Sequence, residues 1–273
     1  EHTPCIMHGG PFANIAHGCN SIIATRLALK LADYTITEAG FGADLGAEKF
    51  LDIKCRKANL TPDAVVCVAT IKALKYHGGV SKENLQNENL EGLKAGMENL
   101  YKHIDNLKNK FGLKVLVALN KYNTDTEAEI NYLREELMKR GVELSLVESW
   151  SKGSEGATDI AQKLVQLMEN PKSELKYTYS LKEGIIEKIE KVAKNIYGAD
   201  GIEIEETAKS KIEKFEKMGY KEFPVCIAKT QYSFSDNPKL LEIKEPFKIH
   251  VQDVVLKAGA EFIVIITGKI MTM

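Results

Sequence analysis

Two aromatic residues occupy positions suited to binding a flat ligand. Tyr122 and Trp150, the only tryptophan of the chain, each follow closely on an apolar run that predicts a β-strand. Because the carboxyl ends of parallel strands meet at one edge of a sheet, the two rings could face one another there. A planar heterocycle between them would gain about 0.5–1.5 kcal/mol per aromatic pair beyond its burial. Spacing alone leaves open the alternative that both rings are packing residues at the loop rim.

Two glycine-rich segments also follow predicted strands and precede predicted helices. They are Gly40–Gly46 and Gly153–Gly156. Free backbone N–H groups at such a helix start can cradle a phosphate, but Asp44 and Glu48 oppose an anion at the first segment. A tight backbone turn or close approach to a neutral ring is therefore an equal alternative. The phosphate-binding pattern G-x-x-x-x-G-K-[ST] occurs nowhere in the chain.

Composition and charge exclude several other classes. The 37 Lys and Arg against 38 Asp and Glu give a net charge of -1, which predicts no nucleic-acid partner and no anionic membrane surface. No apolar run approaches the roughly 18 residues of a membrane span. The 5 cysteines are scattered and never form a C-x-x-C pair, as expected for reduced thiols in the cytoplasm. The histidines show no metal-ligand spacing, so we predict no metal site.

The elements that position these residues alternate between strand and helix patterns up to about residue 172, which predicts βα units around a mainly parallel sheet. The predicted strands are Tyr34–Glu38, Val65–Thr70, Lys114–Asn120 and Glu143–Ser149. The predicted helices are Asn14–Ala32, Asn89–Lys110, a helix from the capping pattern Thr124–Glu127 to Arg140, and Gly156–Glu169.

A second, smaller α/β domain is predicted after residue 172, where the sequence becomes rich in Lys and Glu. The chain is therefore divided into 1–172, which carries the ligand pocket, and 173–273. The predicted helices of the second part are Leu181–Tyr197, capped by Ser180, and Ile204–Met218. Its predicted strands are Phe223–Lys229, Phe247–Val251 and Glu261–Gly268, with a helical turn at Asp253–Lys257.

Five segments resemble formate–tetrahydrofolate ligase, also called 10-formyltetrahydrofolate synthetase. They are His8–Ser21, Thr37–Gly46, Val68–Gly79, Asn120–Thr126 and Thr267–Met273. The third reads VATIKALKYHGG, which is similar to one of the two signature patterns of this family. The resemblance spans the whole chain and matches the C-terminal half of the family's polypeptide.

The resemblance implies an activity and a set of site residues. ATP, with Mg²⁺, and formate give formyl phosphate, whose formyl carbon is then attacked by N10 of tetrahydrofolate. The family's aromatic pterin clamp falls on Tyr122 and Trp150, and its nucleotide or folate pocket falls on Ala13, Gly46 and Leu146. The catalytic lysine and arginine and the P-loop lie in the N-terminal half, which we expect as a partner. A homo-oligomer, a cytoplasmic location and a monovalent cation are further implications.

The start of the chain at Glu1 rather than Met leads us to expect a piece of a longer protein. Two interpretations of different class follow. The chain is either the folate-side portion of a ligase, inactive without its P-loop half, or a non-catalytic structural or assembly fragment.

Overall fold

The structure of the chain is a computed structural model that describes residues 3–7, 9, 12–13, 15–169, 173–241 and 246–268. His8 and residues 269–273, which contribute to the resemblance, lie outside the described residues. The backbone forms two compact units. The parallel unit comprises Thr61–Lys176 and Leu241–Ile243, and the mixed unit comprises His2–Leu60, Tyr177–Leu240 and Lys244–Met273.

Strands and helices follow one another as in βα units from β1 to β3, and the chain ends with three consecutive strands. The α-helices are α1 Ile22–Leu31, α2 Arg56–Ala58, α3 Ile71–His77, α4 Leu90–Asp105, α5 Glu127–Lys139, α6 Ser149–Lys152, α7 Thr158–Glu169, α8 Ile185–Val192 and α9 Glu206–Lys217. The strands are β1 Val65–Ala69, β2 Val115–Asn120, β3 Glu143–Val147, β4 Gly201–Ile204, β5 Val225–Ala228, β6 Lys248–Lys257 and β7 Phe262–Thr267. Single π-helical turns extend several helices, at Ala43–Ala47, Phe50–Cys55, Asn106–Lys110 and Ala193–Tyr197.

The parallel unit is built on a three-stranded sheet in the order β1-β2-β3. Both pairings are parallel, and Asn120 at the end of β2 lies opposite Val147 at the end of β3. The central strand β2 is buried over Val115–Leu119, as expected for a strand covered on both faces by helices. The predicted parallel neighbours are therefore confirmed, and the ends of β2 and β3 coincide at one edge.

The mixed unit contains a four-stranded sheet in the order β4-β6-β7-β5. Strands β4 and β5 are parallel to their neighbours, whereas β6 and β7 are antiparallel. Ile249, Val254, Ile263 and Ile265 are fully or almost fully buried in this sheet. A parallel sheet with helices and a second α/β part thus confirm the predicted fold class.

The predicted domain division differs from the grouping of the backbone. Sequence texture placed residues 1–172 in one domain, whereas His2–Leu60 groups with the C-terminal part of the chain. The break at Lys176 lies close to the predicted boundary. Local sequence composition could not predict the division between Leu60 and Thr61, because it depends on contacts between residues that are far apart in the sequence.

One predicted strand and one predicted helical turn were wrong. Tyr34–Glu38 has an apolar alternation but forms no strand and pairs with none of the described strands, and Ile36 is 87% exposed. Asp253–Lys257 is not a helical turn, because β6 runs on to Lys257 with a bulge between Val251 and Asp253. The adjacent β-branched Val254 and Val255 favour the strand. The short strand β4, which begins with a glycine, was not predicted.

The predicted helices are present, but several of them begin at a different residue from the one predicted. The capping box at α5 uses Thr126 and Glu129, two residues later than the predicted pattern. Helix α8 begins after Gly184, whose N–H donates to Glu187, while Ser180 accepts from the N–H of Lys182 in a turn before the helix. Ser180 is therefore not the cap. Helix α1 begins only after Ser21, whose hydroxyl accepts from the N–H of Ala24.

Candidate functional site

The carboxyl edge of the three-stranded sheet brings the two predicted aromatic residues to the ends of neighbouring strands. Tyr122 follows β2, and Trp150 lies in the first turn of α6 after β3. The Tyr122 side chain is 43% exposed and that of Trp150 is 88% exposed. A tryptophan this exposed leaves most of its ring area available to a ligand.

The backbone at Tyr122 is held by a closed turn. Its N–H donates to Oδ2 of Asp125 at 2.8 Å, and the N–H of Asp125 donates to the Tyr122 carbonyl at 3.0 Å. The preceding N–H of Lys121 donates to the carbonyl of Val147 at 3.1 Å, which extends the sheet pairing by one step. Burial raises the pKa of Asp125, and the hydrogen bond from Tyr122 works in the opposite direction. The base of the ring is thus fixed although its face reaches solvent.

The backbone around Trp150 is shaped by a glycine turn. The N–H of Glu148 donates to the Gly156 carbonyl at 3.0 Å, and a Cβ on Gly156 would lie 2.5 Å from the carbonyl carbon of Glu148. Gly153 has a φ of 59°. For residues 153–156 these contacts favour the tight turn over the phosphate cradle.

Charges at this edge are largely paired with one another. Lys121 Nζ lies 3.9 Å from Glu127 and 3.8 Å from Glu148, and Lys152 binds Glu148 at 2.6 Å. The ammonium of Lys72, in the first turn of α3, lies 4.3 Å from the centroid of the Tyr122 ring. Sequence reasoning missed this cation–ring contact, since no spacing rule relates residue 72 to residue 122.

A buried ion pair underlies the same edge. Lys75 of α3 and Glu129 of α5 bind at 2.9 Å with side chains 1% and 0% exposed. The sequence offered only a weak signal for this pair, namely a lysine between apolar residues in the segment that resembles the family signature.

The mixed unit holds a separate cavity of about 650 Å³. Its lining includes Phe12, Ala13, Asn20, Glu38, Gly40 and Phe41. The two phenylalanine rings are 6.3 Å apart, and the cavity wall is closed by a hydrogen bond from the Gly40 N–H to the Gly18 carbonyl at 3.0 Å. Ala13 therefore lines a cavity, and the two phenylalanines are residues that sequence reasoning did not identify.

Gly46 packs directly against the backbone of Gly40, which lines this cavity. A Cβ at this position would lie 1.9 Å from the Gly40 carbonyl oxygen, so residues 40 and 46 approach as closely as their backbones allow. The N–H of Gly46 donates to the Gly42 carbonyl at 2.9 Å, which favours the tight-turn interpretation of this segment over a phosphate cradle. Leu146 is a half-buried residue of β3 in the parallel unit.

The two acidic residues beside Gly46 are buried in the mixed unit and have different surroundings. Asp44 binds Lys229 at 2.7 Å, and both side chains are buried. Burial raises the pKa of Glu48 well above its usual range, and the carboxylate of Asp52 raises it further. The Lys49 ammonium donates to the carbonyl of Ala13 and ties the cavity lining to this helical segment. These charged side chains therefore lie inside the mixed unit rather than on its surface.

The buried cysteines are poor nucleophiles. Burial raises the pKa of Cys55 and Cys226 to about 12 and that of Cys67 to about 11, so these thiols stay protonated at neutral pH. Within the described ranges, no three His, Cys, Asp or Glu side chains come together as a metal-binding group. No described helix combines the length and the apolar character that crossing a membrane requires.

These features define an α/β protein in which two exposed aromatic residues lie at the carboxyl edge of a parallel sheet, where such folds bind ligands. The sequence profile of formate–tetrahydrofolate ligase matches residues 1–273. The chain belongs to the formate–tetrahydrofolate ligase family, whose members are ATP-dependent ligases of one-carbon metabolism.

Proposed function

We propose that this chain supplies the folate-binding portion of an ATP-dependent ligase that joins formate to tetrahydrofolate. The observation that carries the proposal is the placement of Tyr122 and Trp150 after neighbouring parallel strands with Trp150 88% exposed. The pteridine of tetrahydrofolate is flat and mostly neutral, so two ring faces suit it better than an ion pair. The paired charges of Lys121 and Lys152 agree with a neutral ring of the ligand at this edge.

The proposal includes three further predicted pocket residues, Ala13, Gly46 and Leu146, each on a different observation. Ala13 lines the cavity together with Phe12 and Phe41, and this apolar lining suits a second flat ring such as a nucleotide base. Gly46 supports the wall of that cavity through its contact with Gly40. Leu146 enters as a half-buried residue of the strand that precedes Trp150.

A P-loop-bearing portion of the ligase is the proposed partner. The chain has no G-x-x-x-x-G-K-[ST] pattern, so formation of formyl phosphate from ATP and formate needs residues outside it. Because Mg²⁺ binds together with the phosphates of ATP, the proposal assigns the metal to the same partner. One face of α1 exposes Ile23, Leu27 and Leu31 at helical spacing, which supports a covering protein surface. A homo-oligomer, a monovalent cation and a cytoplasmic location complete the proposal.

Substitution of the two rings tests the folate site. Trp150→Ala should weaken tetrahydrofolate binding by about 1–3 kcal/mol, by analogy with base–aromatic stacking, because the ligand loses one ring face. Tyr122→Phe keeps its ring face and should cost well under about 1 kcal/mol, so it is the matched control. Isothermal titration of both variants measures the difference. Equal losses would mean that the Tyr122 hydroxyl, rather than stacking, makes the contact.

An assembly experiment separates the ligase portion from the alternative, a non-catalytic structural fragment. The 273-residue chain alone should make no 10-formyltetrahydrofolate from ATP and formate. Adding a P-loop-bearing portion of a family member should restore product, and Trp150→Ala should raise the tetrahydrofolate concentration needed for this. Product from the chain alone would refute the proposal that formyl phosphate is made by a separate P-loop-bearing portion. If the chain neither binds folate nor restores product with that portion, the structural fragment is favoured.

A further inference from the structure

The Lys72 side chain contacts the face of Tyr122 and comes from the opposite side of β2 to Trp150. Its helix α3 follows β1, whereas Trp150 follows β3, and the strand order is β1-β2-β3. The Lys72 ammonium lies 4.3 Å from the Tyr122 ring centroid, within the range of a cation–π contact. The strand order therefore separates the cation from the second aromatic residue.

The position of Lys72 is set by the capped start of α3. The Thr70 hydroxyl accepts from the N–H of Ala73 at 3.1 Å, which fixes the first turn of the helix immediately after β1. Tyr122 is fixed in turn by its two hydrogen bonds to Asp125. Both backbones are thus anchored, while the Tyr122 ring, 43% exposed, retains freedom about its side-chain bonds.

We propose that Lys72 is a positioning residue for the pteridine platform: its ammonium covers one face of Tyr122 and holds the ring so that the opposite face stacks on the ligand. The inference rests on the proposed folate site and adds a residue to it. A ring held before binding loses less conformational freedom when the ligand arrives, so the contact raises affinity without touching the ligand. Lys72 acts through Tyr122 and is not a catalytic residue.

Trp150 provides the readout, because it is the only tryptophan of the chain. Tetrahydrofolate titrated into the 273-residue protein should quench its fluorescence. Lys72→Met, which keeps the length and removes the cation, should raise Kd by about 2- to 5-fold, and Lys72→Gln should do the same. Lys72→Arg keeps a cation on the ring and should remain close to the wild-type Kd.

A double-mutant cycle distinguishes positioning from a direct contact with the folate tail. In a Tyr122→Leu background, Lys72→Met should have no further effect, because the platform it holds is gone. A tetrahydropterin that lacks the p-aminobenzoylglutamate tail should lose the same factor as tetrahydrofolate on Lys72→Met. Circular dichroism of each variant confirms that the fold is kept.

The outcomes separate this inference from the proposed function. Quenching in the wild type with an unchanged Kd for both Lys72→Met and Lys72→Gln would overturn the positioning role alone. A loss that persists in the Tyr122→Leu background, or that is confined to the ligand with a tail, would also overturn it, since Lys72 would then contact the ligand. No quenching in the wild type would overturn the folate site and the inference with it.

Discussion

The buried ion pair beneath the candidate site should be the most sensitive electrostatic feature of the parallel unit. Lys75 Nζ binds Glu129 Oε1 at 2.9 Å and donates to the carbonyl of Asn87 at 2.9 Å. The same carboxylate accepts from the N–H of Asn89 at 3.0 Å and from the N–H of Thr126 at 3.2 Å. One pair therefore ties α3 to the starts of α4 and α5, and α5 begins just after the Tyr122 turn.

The cost of breaking this pair depends on which charge is left behind. Glu129→Gln leaves a buried ammonium without its carboxylate and should lower the free energy of unfolding by about 3–5 kcal/mol. Lys75→Met leaves a carboxylate that still accepts two backbone hydrogen bonds and should cost less, about 2–3 kcal/mol. The double variant buries no lone charge, so its loss should fall short of the sum by more than about 1 kcal/mol.

Urea unfolding followed by circular dichroism measures these losses, and the exposed pair Lys94–Glu91 is the matched control. That pair binds at 2.8 Å with side chains 46% and 86% exposed, so solvent screens it and Glu91→Gln should cost far less than either substitution in the buried pair. Strict additivity of Lys75→Met and Glu129→Gln, or a loss no larger than in the control, would refute the reasoning.

The pH dependence gives the same prediction an independent check. Burial raises the pKa of Glu129, but hydrogen bonds from Asn89, Lys75 and Thr126 outweigh it and hold that pKa below the usual 4.5. A carboxyl with a depressed folded-state pKa adds stability above its unfolded pKa, and this is lost as the pH falls through the folded value. The difference between wild type and Glu129→Gln should therefore shrink on acidification below about pH 4.5.

Two further predictions concern the mixed unit. Gly46→Ala places a Cβ 1.9 Å from the Gly40 carbonyl oxygen and should cost about 1–3 kcal/mol, whereas the control Gly259→Ala meets nothing within 4 Å and should be nearly neutral in thermal unfolding. Burial lowers the pKa of Lys188 from 10.5 to about 8, so the unfolded chain binds more protons between these values and stability rises with pH there. Urea unfolding should show wild type gaining about 1–2 kcal/mol over Lys188→Met from pH 7 to 9.5, and parallel curves would contradict the cause given.

The sheet of the parallel unit could be predicted because its strands carry their own signals. β1 and β2 are short apolar runs rich in valine, and β2 is buried on both faces over Val115–Leu119, as in a strand that helices cover. Tyr34–Glu38 alternates apolar and polar residues, a pattern that also predicts a strand, but it pairs with none of the described strands. A strand exists only through its neighbour's hydrogen bonds, and no local pattern reports whether the neighbour is there.

For the candidate site, the sequence could predict only that the two aromatic residues follow neighbouring strands. Parallel pairing of β2 and β3 is enough to bring Tyr122 and Trp150 to one edge. The contact of Lys72 with Tyr122 depends on side-chain direction across two elements, and the cavity beside Ala13 depends on a loop contact between residues 18 and 40. Sequence spacing carries neither, so both had to come from the structure.

The exposed surface bears on the choice between a ligase portion and a structural fragment. A fragment whose role is only to pack would gain nothing from an almost fully exposed Trp150, since burying that ring would contribute a large apolar area to the core. The turn at residues 153–156 and the pairing of Glu148 with Lys152 shape the backbone and charges around Trp150 without covering its ring. An ordered backbone that presents an uncovered ring at the ligand-binding edge of a parallel sheet is what a stacking site requires, and this favours the folate-binding proposal.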